Sequence, residues 1–218
     1  MGSITRGLSN NITTGGVILP AGITNSSVSA VTSFANASGG TLILLSTQTA
    51  SNSATISFTT GLDSTYDAYE FHFIDAHPRT DDVNFQFNLS TDSGSNYNVT
   101  KTSTYFWALH QENDTGASLS YDTAQDLAQS TAFQDLAHRV GNDADQLVAG
   151  TLQLFNPSST TYVKHFIART QQYQFDNITF DTNVAGYANT TSACNAIQFK
   201  MSSGNFDGVI KMYGLKKS

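Results

Sequence analysis

The positions with the most chemical potential lie in 88-NLSTDSGSNYN-98. From Ser90 to Tyr97 the residues read S-T-D-S-G-S-N-Y, the shape of an Asp-box, S-x-D-x-G-x-x-W, with Tyr97 in the aromatic place. Two kinds of chemistry fit these types at this spacing. A carboxylate beside a ring could belong to a glycan-handling site. The same residues could equally turn a chain, with Asp92 accepting backbone N–H groups, Gly94 taking a positive φ and Tyr97 packing over the turn. Glycan-handling propellers repeat such boxes at blade spacing, and this chain has one copy. An acidic-sugar site also needs clustered arginines, whereas Arg6, Arg79, Arg139 and Arg169 stand in different contexts. The sequence therefore predicts a structural hairpin brace of Ser90, Asp92, Gly94 and Tyr97, between a strand ending at Ser90 and one starting at Val99.

Other chemistry is thinly supplied. The two glutamates, Glu70 and Glu112, and the aspartates Asp63, Asp81, Asp82, Asp143, Asp145 and Asp176 form no pair in a cleft-like setting for glycoside hydrolysis. Asp63, Asp92 and 142-NDAD-145 could hold Ca²⁺, but without an EF-hand pattern solvated loops are expected. The five histidines, His72, His77, His110, His138 and His165, show no metal-ligand spacing. His72 and His165 fall on the solvent phase of alternating strands. G-x-S-x-G is absent, and neither Gly-Gly pair is followed by Lys-Ser or Lys-Thr. Cys194 permits no intrachain disulfide and reads as a small buried residue. The expectation is a protein that is not an enzyme, with no cofactor and no metal. More distinctive are aromatics mixed with amides in 105-YFWALHQEN-113, 171-QQYQFDNITF-180 and 187-YANTTS-192. Trp107, Tyr173, Phe175 and Tyr187 are the candidates for a surface that contacts subunits or a glycan.

These residues need elements to position them. At 218 residues with 12% charged residues, against roughly 25% in an average soluble protein, the chain relies on Ser, Thr and Asn, roughly a third of it, for surface polarity. The net charge of −7 argues against nucleic-acid binding. No apolar run approaches the ~20 residues of a membrane span, and the first residues, MGSITRGLSN, have neither the basic nor the apolar region of a Sec signal. Synthesis in the cytoplasm is expected. Residues 1–40 are polar and Gly-rich with scattered aliphatics. They read as an extended assembly arm whose contacts would come from Ile4, Leu8, Ile12, Val17, Ile18, Leu19 and Ile23. From Thr41 the period-2 signal dominates, most clearly in 83-VNFQFNLS-90. The stretch 122–140 reads as strand or loop rather than helix, and 171–180 as loop-like. Eight to ten short strands without a βαβ rhythm predict an all-β fold: an antiparallel β-sandwich, jelly-roll-like, over 41–218.

Four stretches together, 41-TLILLSTQTASNSATISFTTGLDSTYDAYEFHF-73, 91-TDSGSNYN-98, 150-GTLQLFNPSSTTYVKHF-166 and 197-IQFKMSSGNFDGVIKMYGL-215, resemble small structural proteins of tailed bacteriophages, especially those of marine bacteria. The first 34 residues are similar to the arms of phage fibre and decoration proteins. The resemblance implies a virion protein, a capsid decoration (cement) protein or a fibre, on the particle exterior. Its partners would be other virion proteins, major capsid or tail proteins, and sister subunits in a homotrimer. It supplies no catalytic residues. The alternative is a receptor-binding or carbohydrate-binding module at a tail-fibre tip, with a host surface glycan as ligand.

Overall fold

The computed structural model describes residues 42–215 and, before them, the backbone of two short strands. The chain divides into two units, Met1–Gly39 and Gly40–Ser218. In the first, β1 (Ile12–Thr13) and β2 (Gly16–Val17) pair antiparallel, Ile12 opposite Val17. Ile4, Leu8, Ile18, Leu19 and Ile23 of the predicted arm lie outside the described residues.

The second unit holds β3 (Leu42–Ser53), β4 (Thr55–Phe58), β5 (Ala68–Pro78), β6 (Val83–Ser90), β7 (Lys101–Gln111), β8 (Ala117–Tyr121), β9 (Gln134–Val140), β10 (Val148–Phe155), β11 (Lys164–Gln174), β12 (Ile178–Ala188), β13 (Ala196–Met201) and β14 (Phe206–Leu215). Among the described residues there is no helix, and all strand pairs are antiparallel. One sheet contains the order β3-β14-β5-β10 and the other β4-β13-β6-β9. Each of the ribbons β3–β4, β5–β6, β9–β10 and β13–β14 thus places one strand in each sheet. This nested pairing is the jelly-roll order of two Greek keys. Two inserted strand pairs, β11–β12 and β7–β8, extend the first sheet to β3-β14-β5-β10-β11-β12-β7-β8. A bridge from Gln174 to Val140 joins β11 to β9, so the sheets meet on that side.

The alternation is the cause of this arrangement. On β5, Tyr69, Phe71 and Phe73 are buried while Glu70 and His72 stay partly exposed; on β6, Val83, Phe85, Phe87 and Leu89 are buried. Phe199 is the centre of the aromatic core, with Phe58, Phe71, Phe73, Phe85 and Phe87 at centroid distances of 5.2–6.4 Å, mostly edge-on or tilted. Phe71 and Phe73 come from one sheet and Phe85, Phe87 and Phe199 from the other. Each ring buried there contributes on the order of 2–3 kcal/mol.

Two sequence expectations change, and one holds. Residues 171–180 form the tip of a long hairpin, not a loop, because β11 and β12 pair along eleven rungs from Lys164↔Ala188 to Gln174↔Ile178. Within 122–140 the reading as strand or loop holds: residues 122–133 are irregular and β9 follows. The turn after Ser90 does not close a hairpin: β6 pairs with β13 and β9, whereas β7 pairs with β12 and β8. It is an arch carrying the chain between sheets, because the inserted β7–β8 pair joins the wide sheet before the chain returns to β9 beside β6.

Candidate functional site

The arch is braced by the residues the motif singles out. Ser90 Oγ donates to Asp92 Oδ1 (2.6 Å) and accepts from the N–H of Gly94 (3.0 Å). The Asp92 carboxylate also accepts from Asn96, backbone N–H to Oδ1 (2.8 Å) and Nδ2 to Oδ2 (2.7 Å). These bonds, Ser90's first, hold the Asp92 carboxyl down to about 2. Gly94 sits at φ 88°, and a Cβ there would stand 2.7 Å from the Tyr97 hydroxyl and 2.8 Å from Thr59 Cγ2. Asn195 fastens the arch to the second sheet, accepting from Ser93 N–H at 2.8 Å. The carboxylate's hydrogen bonds are spent on the chain itself, as a turn requires.

The four contact candidates do not share one surface. Trp107 lies on the inward phase of β7, half-buried, with Phe180 at 5.1 Å and its Nε1 donating to Asp122 (3.3 Å). Tyr187 is on the outer face beside His165, with ring centroids 6.2 Å apart. Tyr173 is on the same face of β11, some 26 Å from that rung at about 3.3 Å per residue. Phe175 sits at the hairpin tip under the Arg139 guanidinium, 4.4 Å from its ring centroid. Of the four, Tyr173 touches, through Asn177 and Glu112, a polar depression of about 250 Å³ lined by Gln111, Glu112, Asn113, Asp176, Asn177 and Ile178. The Tyr173 hydroxyl donates to Asn177 Oδ1 at 3.2 Å, and its bond to Glu112 pushes it up to about 12.

The arginines among the described residues pair singly: Arg79 with Asp207 (2.7 Å), Arg139 with Asp82 (3.1 Å) and Arg169 with Asp181 (2.7 Å). Glu70 meets His72 and the amide of Gln153. Among the described residues no three His, Cys, Asp or Glu side chains converge as a metal site, and no helix is long and apolar enough to cross a membrane.

Two features were not anticipated. The first is an apolar outer face. Leu42, Leu44, Ile74, Phe106, Leu119, Tyr121, Phe155, Ile167 and Leu215 are exposed and lie on the outward phase of the eight-stranded sheet; the other large exposed apolar residue, Tyr162, is in a loop. One cross-strand row runs Leu44, Tyr213, Glu70, Gln153, Ile167, Ala185 and Thr104. The signal was legible in 42-LILL-45 and 105-YFWAL-109, where apolar residues occupy both phases of a strand and thus ask for cover on both faces. The second is a buried polar set. Lys101, Lys164, Asp135 and His138 are at most 9% exposed. Burial lowers the His138 and Lys164 pKa values and raises Asp135 to about 6, while Gln86 and Asn84 donate to its carboxylate. Buried Cys194 is pushed up to about 11 by the same desolvation. The clue in the sequence was Lys101 and Lys164 standing in the inward phase of their strands. No family model, curated protein or solved structure matches this chain.

Proposed function

We propose that this protein is a non-enzymatic structural subunit on the exterior of a bacteriophage particle, a capsid decoration protein or a fibre, attached through residues 1–40. The observation that carries the reading is the outer face of the eight-stranded sheet. It sets nine large exposed apolar side chains on one face of a single sheet, which suits subunit packing better than a small-molecule cleft. The resemblance of the strand-forming segments to phage structural proteins points the same way. Trimeric assembly about a local threefold axis is the expected state. The test is quantitative mass spectrometry of purified virions. Copies on the order of hundreds identify a decoration protein and roughly a dozen identify a tail component, following the symmetry of each site. Absence from the particle overturns the proposal.

The depression beside Tyr173 favours one second reading, glycan binding at the β11–β12 tip, since amides and carboxylates next to a tyrosine suit sugar hydroxyls. Glycan-array binding that Tyr173→Ala abolishes would support it; binding unchanged by that substitution would dismiss this site. Trp107 is no probe for it, being packed inward on Phe180.

A further inference from the structure

Lys101 and Asn88 are both fully buried and face one another. Lys101 Nζ donates to Asn88 Oδ1 at 2.6 Å and to the carbonyl of Val99 at 2.8 Å. Among the described residues no carboxylate forms an ion pair with it. The Asn88 amide is clamped on every side. Its Nδ2 donates to the carbonyls of Tyr97 (2.8 Å) and Thr131 (2.9 Å), and its Oδ1 also accepts the Leu89 N–H (2.8 Å). A lysine enclosed without a counter-charge is costly as an ammonium, and burial lowers its pKa to about 7, so the free amine is well populated at neutral pH. A nucleophilic amine, a fixed carbonyl and the exclusion of water therefore coincide at one point.

We propose that Lys101 and Asn88 join in an intramolecular isopeptide bond that staples the end of β6 to the start of β7 across the arch. Since Nζ is 2.6 Å from Oδ1 and a C=O bond is about 1.2 Å long, Nζ stands within about 3.8 Å of Cγ, close to the ~3–3.5 Å of a near-attack pose. Rotation within the flexible lysine stem carries the amine from Oδ1 to Cγ. The Nζ–Cγ bond forms, and the oxygen of the tetrahedral intermediate keeps the Leu89 N–H as a donor. The Cγ–Nδ2 bond then breaks, and Nδ2 leaves as ammonia with the proton that Nζ surrenders. Atoms balance with no oxidant or co-reactant: an amine and a primary amide become a secondary amide and ammonia. The product replaces a buried titratable amine with a neutral group, which removes its desolvation cost.

The staple would link two residues 13 positions apart, with the Ser90–Asn96 brace between them. The decisive experiment is mass spectrometry of the purified full chain, held folded at neutral to mildly alkaline pH until no further change occurs. The expected mass is that of the sequence less one ammonia. Trypsin should leave Lys101 uncut, so that one peptide from Thr80 to Arg139 carries the deficit. Lys101→Arg should run at its full sequence mass. Asn88→Asp should reach the same linked peptide by losing water instead. Full wild-type mass with Lys101 cleaved overturns the proposal. So does an ammonia deficit that persists in Lys101→Arg or maps to another peptide.

Discussion

At the scale of single residues, the Tyr97 hydroxyl is buried without a partner, a position where the polar atom costs more than it returns. Tyr97→Phe is therefore expected to leave stability unchanged or raise it by up to about 1 kcal/mol in a denaturant melt. Gly94→Ala should do the reverse, lowering stability by about 1–3 kcal/mol, because φ 88° and the contacts with Tyr97 and Thr59 leave no room for a Cβ. Asp135 makes a prediction in pH. Burial raises its pKa from 3.8 to about 6, so between those values the folded chain binds a proton that the unfolded chain releases. Its contribution to stability is thus present below about pH 4 and lost as pH rises through about 6, on the order of 2–3 kcal/mol. Thermal melts of the wild type relative to Asp135→Asn should show that decline; a constant difference across the window would refute it.

At the scale of elements, legibility followed how far each strand served one core. β5 and β6 were readable because one phase is aromatic and the other polar, and both strands take neighbours on either side. β12 was not. Its inward phase includes fully buried Thr182, and the aromatics and amides around it suggest a loop surface until pairing with β11 and β7 is known. The Ser90, Asp92 and Gly94 part of the brace was legible, while Asn96 and Asn195, which also hold it, were not. Whether it closed a hairpin or an arch depended on partners far along the chain, β9 and β13, which local spacing does not encode. The bulge in β14 belongs to this scale too. Gly208, at φ 137°, lies where the register shifts against both β3 and β5, and a Cβ would meet the Asp75 carbonyl at 2.6 Å. Gly208→Ala should cost about 2 kcal/mol or more, seen as an earlier unfolding midpoint with an unchanged slope.

At the scale of the whole molecule, assembly and folding should separate. Replacing Ile167 by Glu puts a charge in the middle of the outer face, where the native side chain is 52% exposed. Stability should change by less than about 1 kcal/mol, while sedimentation velocity should show a smaller species than the trimer proposed for the wild type. A chain lacking residues 1–40 should keep the melt of the sandwich and fail to bind particles; normal binding would remove the arm from the attachment. The jelly-roll order also has a mechanical side. Leu42 opens β3 and Leu215 closes β14, and the two sit opposite one another on a single rung. Tension applied between those ends peels β3 from β14 one hydrogen-bonded rung at a time, the unzipping geometry in which a sheet yields at low force. Load entering at Leu42 and leaving through the β11–β12 tip instead crosses several strands of the wide sheet at once. The domain is therefore expected to resist pulling along one axis and to open readily along the other.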